Sequence, residues 1–213
     1  MNELNKINYI KTFVKNRLYN EYSGHDYWHI VRVVNNAQKI MLNESADNLK
    51  VIIASWLHDI GDYKLHNGID KTKEIVFPLL KSMEFNNKFI DDILKIISEV
   101  SYNGGFNQPP SSIEAKIVQD ADRLDAMGAI GIARAFAYGG NKGREIYNPD
   151  DNLNIYNSKE EYKNNNSSSI MHFYEKLLKL KNLMNTDTAK FIAHRRHEFM
   201  ILFLNEFMDE IKN

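Results

Sequence analysis

Apolar residues recur at intervals of three and four along most of the chain, and this spacing constrains the fold more than any other feature. Six of them fall on one helical face between residues 27 and 42, namely Ile30, Val33, Val34, Ala37, Ile40 and Met41. No convincing run of alternating strand residues and no internal repeat interrupts the pattern. The 213 residues show no shift in composition that would divide them into domains. The sequence therefore predicts one all-α domain, a single helical bundle spanning residues 1–213.

Capping residues and chain breakers predict where several helices begin and end. Asp47 and Asn86 are expected to cap the helices that follow them. Later helices are predicted over about 71–83, with a kink at Pro78, and over about 113–138, 170–184 and 187–211. The pair Gly139-Gly140 is expected to end the second of these.

Composition limits the partners of the protein. The formal net charge is -1, so the chain lacks the excess of basic residues with which proteins bind nucleic acid. Cysteine is absent, which excludes disulfides and thiolate metal sites and agrees with a reducing cytoplasm. The first residues lack the apolar core of a signal peptide, and no apolar stretch approaches the roughly 18 residues of a spanning helix. We expect a cytoplasmic protein without nucleic-acid or membrane partners.

Two histidines and two aspartates from three separate segments form a candidate metal site. They are His29, the adjacent pair His58 and Asp59 at the end of an apolar helical run, and Asp122. Taken singly, such a histidine is more often a buried polar residue, and such an aspartate a helix-end or surface acid. Asp122, however, lies near two further acids on an apolar helix, where carboxylates carry a desolvation cost unless a cation neutralises them. Imidazole and carboxylate together suit a borderline divalent cation.

These residues and their flanking segments resemble the HD-domain superfamily of metal-dependent phosphohydrolases. The matching segments are 25–33 around His29, the doublet His58-Asp59, and 121–125 around Asp122. Segments 122–136, 138–140 and 172–178 extend the resemblance to a bacterial subgroup of small HD proteins, some of which are nucleoside triphosphate pyrophosphohydrolases. Nearly the whole chain is covered. The resemblance implies an all-α HD domain whose ion is held by His29, His58, Asp59 and Asp122.

The number of ions and their identity depend on different observations. Relatives with two ions bring additional histidines between the doublet and the final acid, and this chain has only His66 there. One divalent ion is therefore expected, and a two-iron oxygenase of the same superfamily is disfavoured. Mn, Ni, Fe, Co, Zn and Mg all stay open, because sites of histidine and aspartate accept several metals.

The resemblance also implies roles for residues around the ion. In related nucleotidases an acid shortly after the doublet assists the attacking water or the leaving group. Asp62 matches this position as general acid/base, unless it only caps the helix end. Phosphate groups need charged partners. The candidate substrate-binding residues are Arg32, Lys64, Arg144, Tyr147, His172 and Lys176, with an ion pair to a neighbouring acid as the alternative for Arg32.

Residues 141–169 have little periodicity and are rich in Asn, Asp, Ser and Lys. A loop of this length inside a compact domain is usually mobile or functional. We expect a flexible loop that covers the substrate and excludes water, with Arg144 and Tyr147 near its start.

Together these features predict a metal-dependent phosphohydrolase whose partner is a small phosphorylated molecule, a nucleotide. The specific expectation is hydrolysis of a (deoxy)nucleoside triphosphate to the monophosphate and pyrophosphate. A nucleoside monophosphate phosphatase or another phosphoester hydrolase is the alternative among enzymes. A non-catalytic metal- or nucleotide-binding sensor is the alternative of another class. The oligomeric state stays open, with a homodimer as one option.

Two further motifs give weaker signals. Residues 194–198 are His-Arg-Arg-His-Glu, an order that differs from those of zinc peptidases and predicts a solvated helix face. Residues 139–143 are Gly-Gly-Asn-Lys-Gly, but they follow a helix and lack the strand that a phosphate-binding P-loop requires. His66 is expected to be a loop residue.

Overall fold

Helices form the regular structure of this protein. A computed structural model describes residues 1–19, 24, 26–163 and 165–212, with only the backbone at residues 103 and 163. The α-helices are α1 (Glu3–Leu18), α2 (Tyr27–Met41), α3 (Asn48–Leu57), α4 (Thr72–Ser82), α5 (Asn87–Ser98), α6 (Ile113–Asp125), α7 (Gly128–Asn141), α8 (Lys159–Lys163), α9 (Ser169–Glu175) and α10 (Asp187–Lys212). Two 3-10 helices cover Asn103–Gly105 and Leu177–Leu183. The described residues contain no strand, so the all-α prediction is confirmed. Within the same residues, no helix combines the length and the hydropathy needed to span a bilayer.

The chain divides into two compact units. The first comprises Met1–Glu21, His25–Ser101 and Gln108–Ala121. The second comprises Tyr22–Gly24, Tyr102–Asn107 and Asp122–Asn213, so that the boundary falls within α6. The organisation as a single domain stays a prediction.

Helix α3 forms the centre of the first unit, where it packs against α1, α2 and α5. Asp47 caps α3 as predicted, because its Oδ1 accepts a hydrogen bond from the Lys50 backbone N–H at 3.2 Å. Asn86 caps α5 in the same way and accepts from the Phe89 N–H at 2.9 Å. Most residues of α3 are buried, and a fully buried side chain such as Leu57 contributes roughly 1.5–3 kcal/mol. The end of α3 is thereby held inside the core.

Aromatic side chains join α7, α9 and α10 in the core of the second unit. The ring centroids of Phe136, Phe173 and Phe203 are separated by 6.1, 5.9 and 5.8 Å. These distances lie in the favourable range for tilted and edge-to-face ring pairs. Phe173 is fully buried at the middle of this cluster.

The single helix predicted over residues 113–138 is wrong, because the chain forms two helices there. The Met127 N–H bonds to the Leu124 carbonyl only three residues back, at 3.1 Å, which tightens and ends α6. Gly128 then takes a positive φ of 71°, a conformation that glycine adopts without steric cost. The apolar periodicity continues through this break and therefore did not reveal it.

Two other predicted helix boundaries also differ from the structure. Gly139-Gly140 lies in the last turn of α7, which ends at Asn141, and the positive φ of 67° occurs at Gly143 instead. The helix predicted over 170–184 ends as α9 at Glu175. Lys176 leaves helical geometry with a φ of -136°, and the second 3-10 helix follows.

The two ends of the segment between α3 and α4 approach each other at Gly61 and Lys71. The Lys71 N–H donates to the Gly61 carbonyl at 2.9 Å. A Cβ atom at Gly61 would lie 2.3 Å from both the Cα and the N of Thr72, the first residue of α4. Only glycine therefore allows the start of α4 to approach the residues that directly follow α3.

We expect the substitution Gly61→Ala to lower the free energy of unfolding by about 1–3 kcal/mol, because the added methyl group must displace the Thr72 backbone. Urea denaturation would measure the change. Gly140→Ala is the matched control, since a Cβ there meets no atom within 4 Å. Its stability should stay the same or rise by up to about 1 kcal/mol. Equal stability of the two variants would contradict the steric argument.

Candidate metal centre

Helix α2 carries the first predicted ligand, His29, in its first turn. Asp26 caps α2, and its Oδ1 accepts a hydrogen bond from the His29 backbone N–H at 2.7 Å. Ile30 and Val33 of the same helix are fully buried. His29 is itself 0% exposed, so its imidazole is removed from bulk water.

The turn after α3 carries the next two predicted ligands. His58 is the C-cap residue of α3, and Asp59 follows it directly. The two residues are 5% and 7% exposed. Backbone hydrogen bonds from Ile60 to Leu57 at 3.2 Å and from Asp62 to Asp59 at 3.0 Å turn the chain tightly here. The expectation that this pair ends an apolar helix is confirmed.

The polar atoms of these three side chains converge. His29 Nε2 lies 3.3 Å from His58 Nε2 and 3.2 Å from Asp59 Oδ2. His58 Nε2 lies 3.5 Å from Asp59 Oδ1. Each side chain offers one donor atom, and these atoms all lie within 4.8 Å of one another. The structure thus brings together three of the four residues predicted to bind an ion.

The nitrogen of the His58 ring that points away from the cluster forms a hydrogen bond, and this bond orients the ring. His58 Nδ1 lies 2.9 Å from the Ser55 carbonyl oxygen. Because a carbonyl oxygen can only accept, Nδ1 carries a proton, and in the neutral ring with this proton Nε2 presents its lone pair to His29 and Asp59. Such outer hydrogen bonds orient histidine ligands and increase their basicity.

The spacing of the three donor atoms fits a bound cation. Atoms about 2.1 Å from one ion lie roughly 3.0–3.4 Å apart at octahedral or tetrahedral angles. The two Nε2 atoms are 3.3 Å apart, and each lies close to one Asp59 oxygen, His29 to Oδ2 at 3.2 Å and His58 to Oδ1 at 3.5 Å, which is near this range. Within the group, a neutral His29 has at most one Nε2 proton to share between His58 and Asp59. A divalent cation satisfies all three donor atoms at once, so these residues fit a metal ion.

Asp122, the fourth predicted ligand, lies in the last turn of α6 and belongs to the second unit. Its role as a ligand stays a prediction. The preceding residue, Ala121, is the last residue of the first unit, and its carbonyl accepts a hydrogen bond from Asn36 Nδ2 at 3.2 Å. Asn36 is buried on α2, two turns beyond His29. This bond fastens the first unit's part of α6 to the helix that carries His29.

Asp62, the predicted general acid/base, is half-buried in the turn that follows Asp59. Its Oδ1 accepts a hydrogen bond from the Lys64 backbone N–H at 2.9 Å. Burial raises the pKa of the Asp62 carboxyl group, and the nearby Lys64 ammonium opposes that shift. The catalytic role stays a prediction. His66 Nε2 lies 2.9 Å from the Ile60 carbonyl oxygen, which agrees with its expected place as a loop residue.

Two of the basic residues predicted to bind the substrate, Arg32 and Lys64, lie in the first unit, and a third, Arg144, lies in the second. Arg32 is half-buried on α2, one turn after His29, and Lys64 is exposed in the turn after α3. Arg144 follows α7 in the second unit and donates from Nη2 to the Asn165 carbonyl at 2.5 Å. Their contribution to substrate binding stays a prediction.

The other three predicted substrate-binding residues belong to the second unit. The Tyr147 ring packs edge-on against Phe207 with centroids 6.1 Å apart. His172 and Lys176 lie at and just beyond the end of α9, and both are half-buried. The Lys176 Nζ lies 5.3 Å from the centroid of the Tyr102 ring. Substrate binding by these residues also stays a prediction.

The His-Arg-Arg-His-Glu motif forms a solvated helix face only in part. His194, Arg195 and Glu198 are exposed, as expected, whereas Arg196 and His197 are half-buried and Arg196 donates a hydrogen bond to the Leu124 carbonyl. His194 Nε2 lies 3.5 Å from Glu198 Oε1, and the two side chains are 65% and 64% exposed. Such an exposed pair one turn apart contributes little to stability.

Sequence reasoning missed two groups that hold the histidines in place. Asp26 caps the helix that carries His29, and an aspartate three residues before it is a recognisable signal for a helix start. The Ser55 carbonyl accepts from His58 through the main chain, so no residue type marks it in the sequence.

Comparison with known proteins finds relatives that match nearly the whole chain. The HD domain family matches residues 27–127. The uncharacterized protein YpgQ of Bacillus subtilis (strain 168) is 38% identical over 213 residues, which cover 99% of this chain and 96% of YpgQ. The crystal structure of YpgQ in complex with ADP has a TM-score of 0.77 at 38% identity and covers 96% of this chain and 97% of that one.

Two other solved structures are similar over the same extent. A protein from Lactobacillus plantarum has a TM-score of 0.88 at 36% identity, over 100% of this chain and 99% of that one. A protein from Bacillus thuringiensis, described as an HD-superfamily hydrolase, has a TM-score of 0.76 at 39% identity, over 99% of both chains.

We expect Asp59→Asn to weaken Mn²⁺ binding by at least roughly 100-fold, because it removes the anionic donor of the cluster. Titration calorimetry on metal-free protein would measure the affinity. Asp92→Asn is the control, since Asp92 pairs with Lys50 at 2.9 Å elsewhere in the same unit. In the wild-type protein, Mn²⁺ at 100 times its Kd should raise the unfolding free energy by about 2.7 kcal/mol. If Asp59→Asn and the wild type bind Mn²⁺ equally well, the assignment of this cluster as a metal site is wrong.

Proposed function

This chain belongs to the HD domain family, and on that premise we propose that it is a metal-dependent phosphohydrolase that acts on nucleotides. The observation that carries the proposal is the buried convergence of His29, His58 and Asp59, whose donor atoms lie within 4.8 Å of one another. The description of the similar Bacillus thuringiensis protein as an HD-superfamily hydrolase supports it further.

The proposed ligands of one divalent ion are His29, His58, Asp59 and Asp122. When bound, such an ion would polarise a phosphoryl oxygen and lower the pKa of a water molecule. The His58 ring is already oriented for this task, because the Ser55 carbonyl fixes its Nδ1 proton. Burial of the three residues in the first unit excludes bulk water and strengthens their interaction with charge.

Asp62 is the proposed general acid/base. It lies three residues after Asp59, and its backbone N–H donates to the Asp59 carbonyl at 3.0 Å. The hydrogen bond from the Lys64 N–H fixes one carboxylate oxygen at 2.9 Å. A carboxyl group held in this way can take a proton from the attacking water or give one to the leaving oxygen.

The proposed substrate is a nucleotide, most specifically a (deoxy)nucleoside triphosphate that is cleaved to the monophosphate and pyrophosphate. YpgQ is 38% identical to this chain, and its crystal structure in complex with ADP supports a nucleotide ligand. Phosphate groups need cationic partners. The proposed partners are Arg32, Lys64, Arg144, His172 and Lys176, a set large enough to favour three phosphate groups over one.

Residues 141–169, of which Asn164 lies outside the described residues, are proposed to cover the bound substrate. Arg144 and Tyr147 stand near the start of this segment. Arg144 donates a hydrogen bond to the Asn165 carbonyl, which links the two ends of the segment. A cover of this kind would exclude bulk water and thereby strengthen the interactions of the phosphate groups with their cationic partners.

A screen of phosphorylated substrates tests the reaction. With Mn²⁺, Co²⁺, Ni²⁺ or Mg²⁺, the protein should release pyrophosphate from (deoxy)nucleoside triphosphates, and Asp59→Ala should lose nearly all activity together with its metal. Coupled pyrophosphate and malachite-green assays distinguish the products. Orthophosphate released from monophosphates would instead identify a phosphatase. Stoichiometric metal binding without turnover of any substrate would identify a sensor.

Asp62→Asn should lower kcat by about 10²–10⁴-fold while the metal content stays the same, because the amide cannot transfer the proton. Asp122→Asn should lose metal together with activity, since Asp122 is a proposed ligand. Elemental analysis beside steady-state kinetics separates the two effects. If Asp62→Asn has the kcat of the wild type, Asp62 does not transfer the proton. If Asp122→Asn keeps its full metal content, Asp122 is not a ligand.

A further inference from the structure

Glu175 is a buried carboxylate that the proposed reaction does not use. It lies at the end of α9 and is 2% exposed. Two predicted substrate-binding residues flank it, since Lys176 follows directly and His172 precedes it by three positions. A buried carboxylate is costly unless hydrogen bonds or a cation compensate the lost hydration.

Four side chains donate hydrogen bonds to Glu175, two to each oxygen. Oε1 accepts from the Tyr156 hydroxyl at 2.6 Å and from Asn154 Nδ2 at 3.2 Å. Oε2 accepts from Asn165 Nδ2 at 2.6 Å and from the Ser167 hydroxyl at 2.8 Å. All four donors belong to the segment proposed to cover the substrate. If this segment detached, the Glu175 carboxylate would lose all four bonds.

The Tyr156 hydroxyl keeps its proton and therefore donates a hydrogen bond in this network. Burial, and then its hydrogen bond to Glu175, strongly raise the pKa of Tyr156. The hydroxyl therefore keeps its proton at any physiological pH. Hydrogen bonds to ionised acceptors are about twice as strong as neutral ones, so the short contact at 2.6 Å fixes the ring firmly.

A chain of ring contacts leads from Tyr156 back to the residue next to Glu175. The Tyr156 ring meets Tyr162 edge-on at 5.4 Å, and Tyr162 meets Tyr102 edge-on at 5.6 Å. The Lys176 Nζ lies over the Tyr102 ring, 5.3 Å from its centroid. This distance is within the range of a cation–π interaction. The carboxylate of residue 175 and the ammonium of residue 176 are thus joined through three tyrosines.

The neighbouring backbone at Gly104 allows the tyrosines to approach one another. Gly104 has a φ of 73°, and a Cβ there would lie 2.9 Å from the Tyr162 Cβ. The short 3-10 helix that begins directly after Tyr102 can therefore pack closely against α8, which carries Tyr162. The position of Tyr102 beneath Lys176 depends on this packing.

We propose that Glu175 is a positioning residue for substrate binding. It holds the covering segment against α9. Through Tyr156, Tyr162 and Tyr102 it also sets the position of the Lys176 ammonium, which binds a substrate phosphate. This inference rests on the proposed nucleotide hydrolysis. It assigns to Glu175 no direct contact with the substrate. The chain of contacts acts on binding, so its loss should raise KM and leave kcat nearly unchanged.

The test compares Tyr156→Phe, Glu175→Gln and Glu175→Ala with the wild-type protein. Tyr156→Phe removes one donor and keeps the ring, so KM for a deoxynucleoside triphosphate should rise about five- to tenfold while kcat changes less than about twofold. Glu175→Gln should have a smaller effect than Glu175→Ala, because the amide oxygen still accepts from Tyr156. Tyr174→Phe is the matched control, since Tyr174 is 40% exposed and precedes Glu175. Its KM should stay at the wild-type value.

Hydrogen exchange of the backbone amides of residues 154–163 gives an independent measurement. These amides should exchange faster in Tyr156→Phe and Glu175→Ala, because the segment opens more often. Exchange at the wild-type rate in both variants would show that Glu175 does not fasten the segment. Faster exchange with an unchanged KM would show a purely structural role. Either result overturns the inference.

Failure of the proposed function would be recognised separately. If the wild-type protein hydrolyses no nucleotide, its affinity for ADP, measured by calorimetry, replaces KM as the readout. A five- to tenfold weaker affinity of Tyr156→Phe would support the positioning role. Equal affinities, or a wild-type protein that does not bind ADP, would overturn it.

Discussion

The crowding of two imidazoles and one carboxylate within 3.5 Å of each other is the constraint on which the first unit depends. Removing such groups from water is unfavourable unless each finds a partner. The surrounding helices bury the groups nonetheless, because α3 is packed against three other helices and carries His58 and Asp59 directly after its last turn. The stability of the core therefore holds ligands in place that would not associate by themselves.

The two units compensate the lost hydration of buried polar groups by different means. In the first unit, the donor atoms of His29, His58 and Asp59 face one another and suit a common cation. In the second unit, four neutral donors surround the carboxylate of Glu175, two at each oxygen. The first arrangement suits chemistry with an exchangeable ion, whereas the second holds a long segment against a helix through hydrogen bonds that break when the segment opens.

Several helix boundaries and the place of the His58-Asp59 pair at the end of α3 could be predicted from local sequence. The caps at Asp47 and Asn86 and the end of α3 at the doublet follow from residue types at fixed offsets, and the structure agrees with them. The break before Gly128 could not be predicted in this way, because apolar periodicity continues across it. Asp122 lies in the other unit, and its assignment still depends on the resemblance to HD proteins.

Long-range hydrogen bonds are a second feature that could not be predicted from the sequence. The composition of residues 141–169 predicted a flexible loop. Many of the described asparagines and serines in that segment form hydrogen bonds, three of them with the carboxylate of Glu175, and the flexibility of the segment stays a prediction. Residues of these types are typical of loops whether or not they have such an acceptor. The pairing depends on a buried acid 8–21 positions away, which periodicity and motif spacing do not detect.

The orientation of His58 has a consequence for how the site tolerates change during evolution. Its ring bonds to the carbonyl of Ser55, one of the main-chain acceptors that the end of α3 leaves without a partner inside the helix. The Ser55 hydroxyl itself is buried and has no hydrogen-bond partner among the described residues. The position at which the helix stops, rather than the residue type at that site, provides the acceptor for Nδ1 of the imidazole. A substitution at residue 55 that leaves this backbone in place therefore keeps the acceptor of the histidine ring.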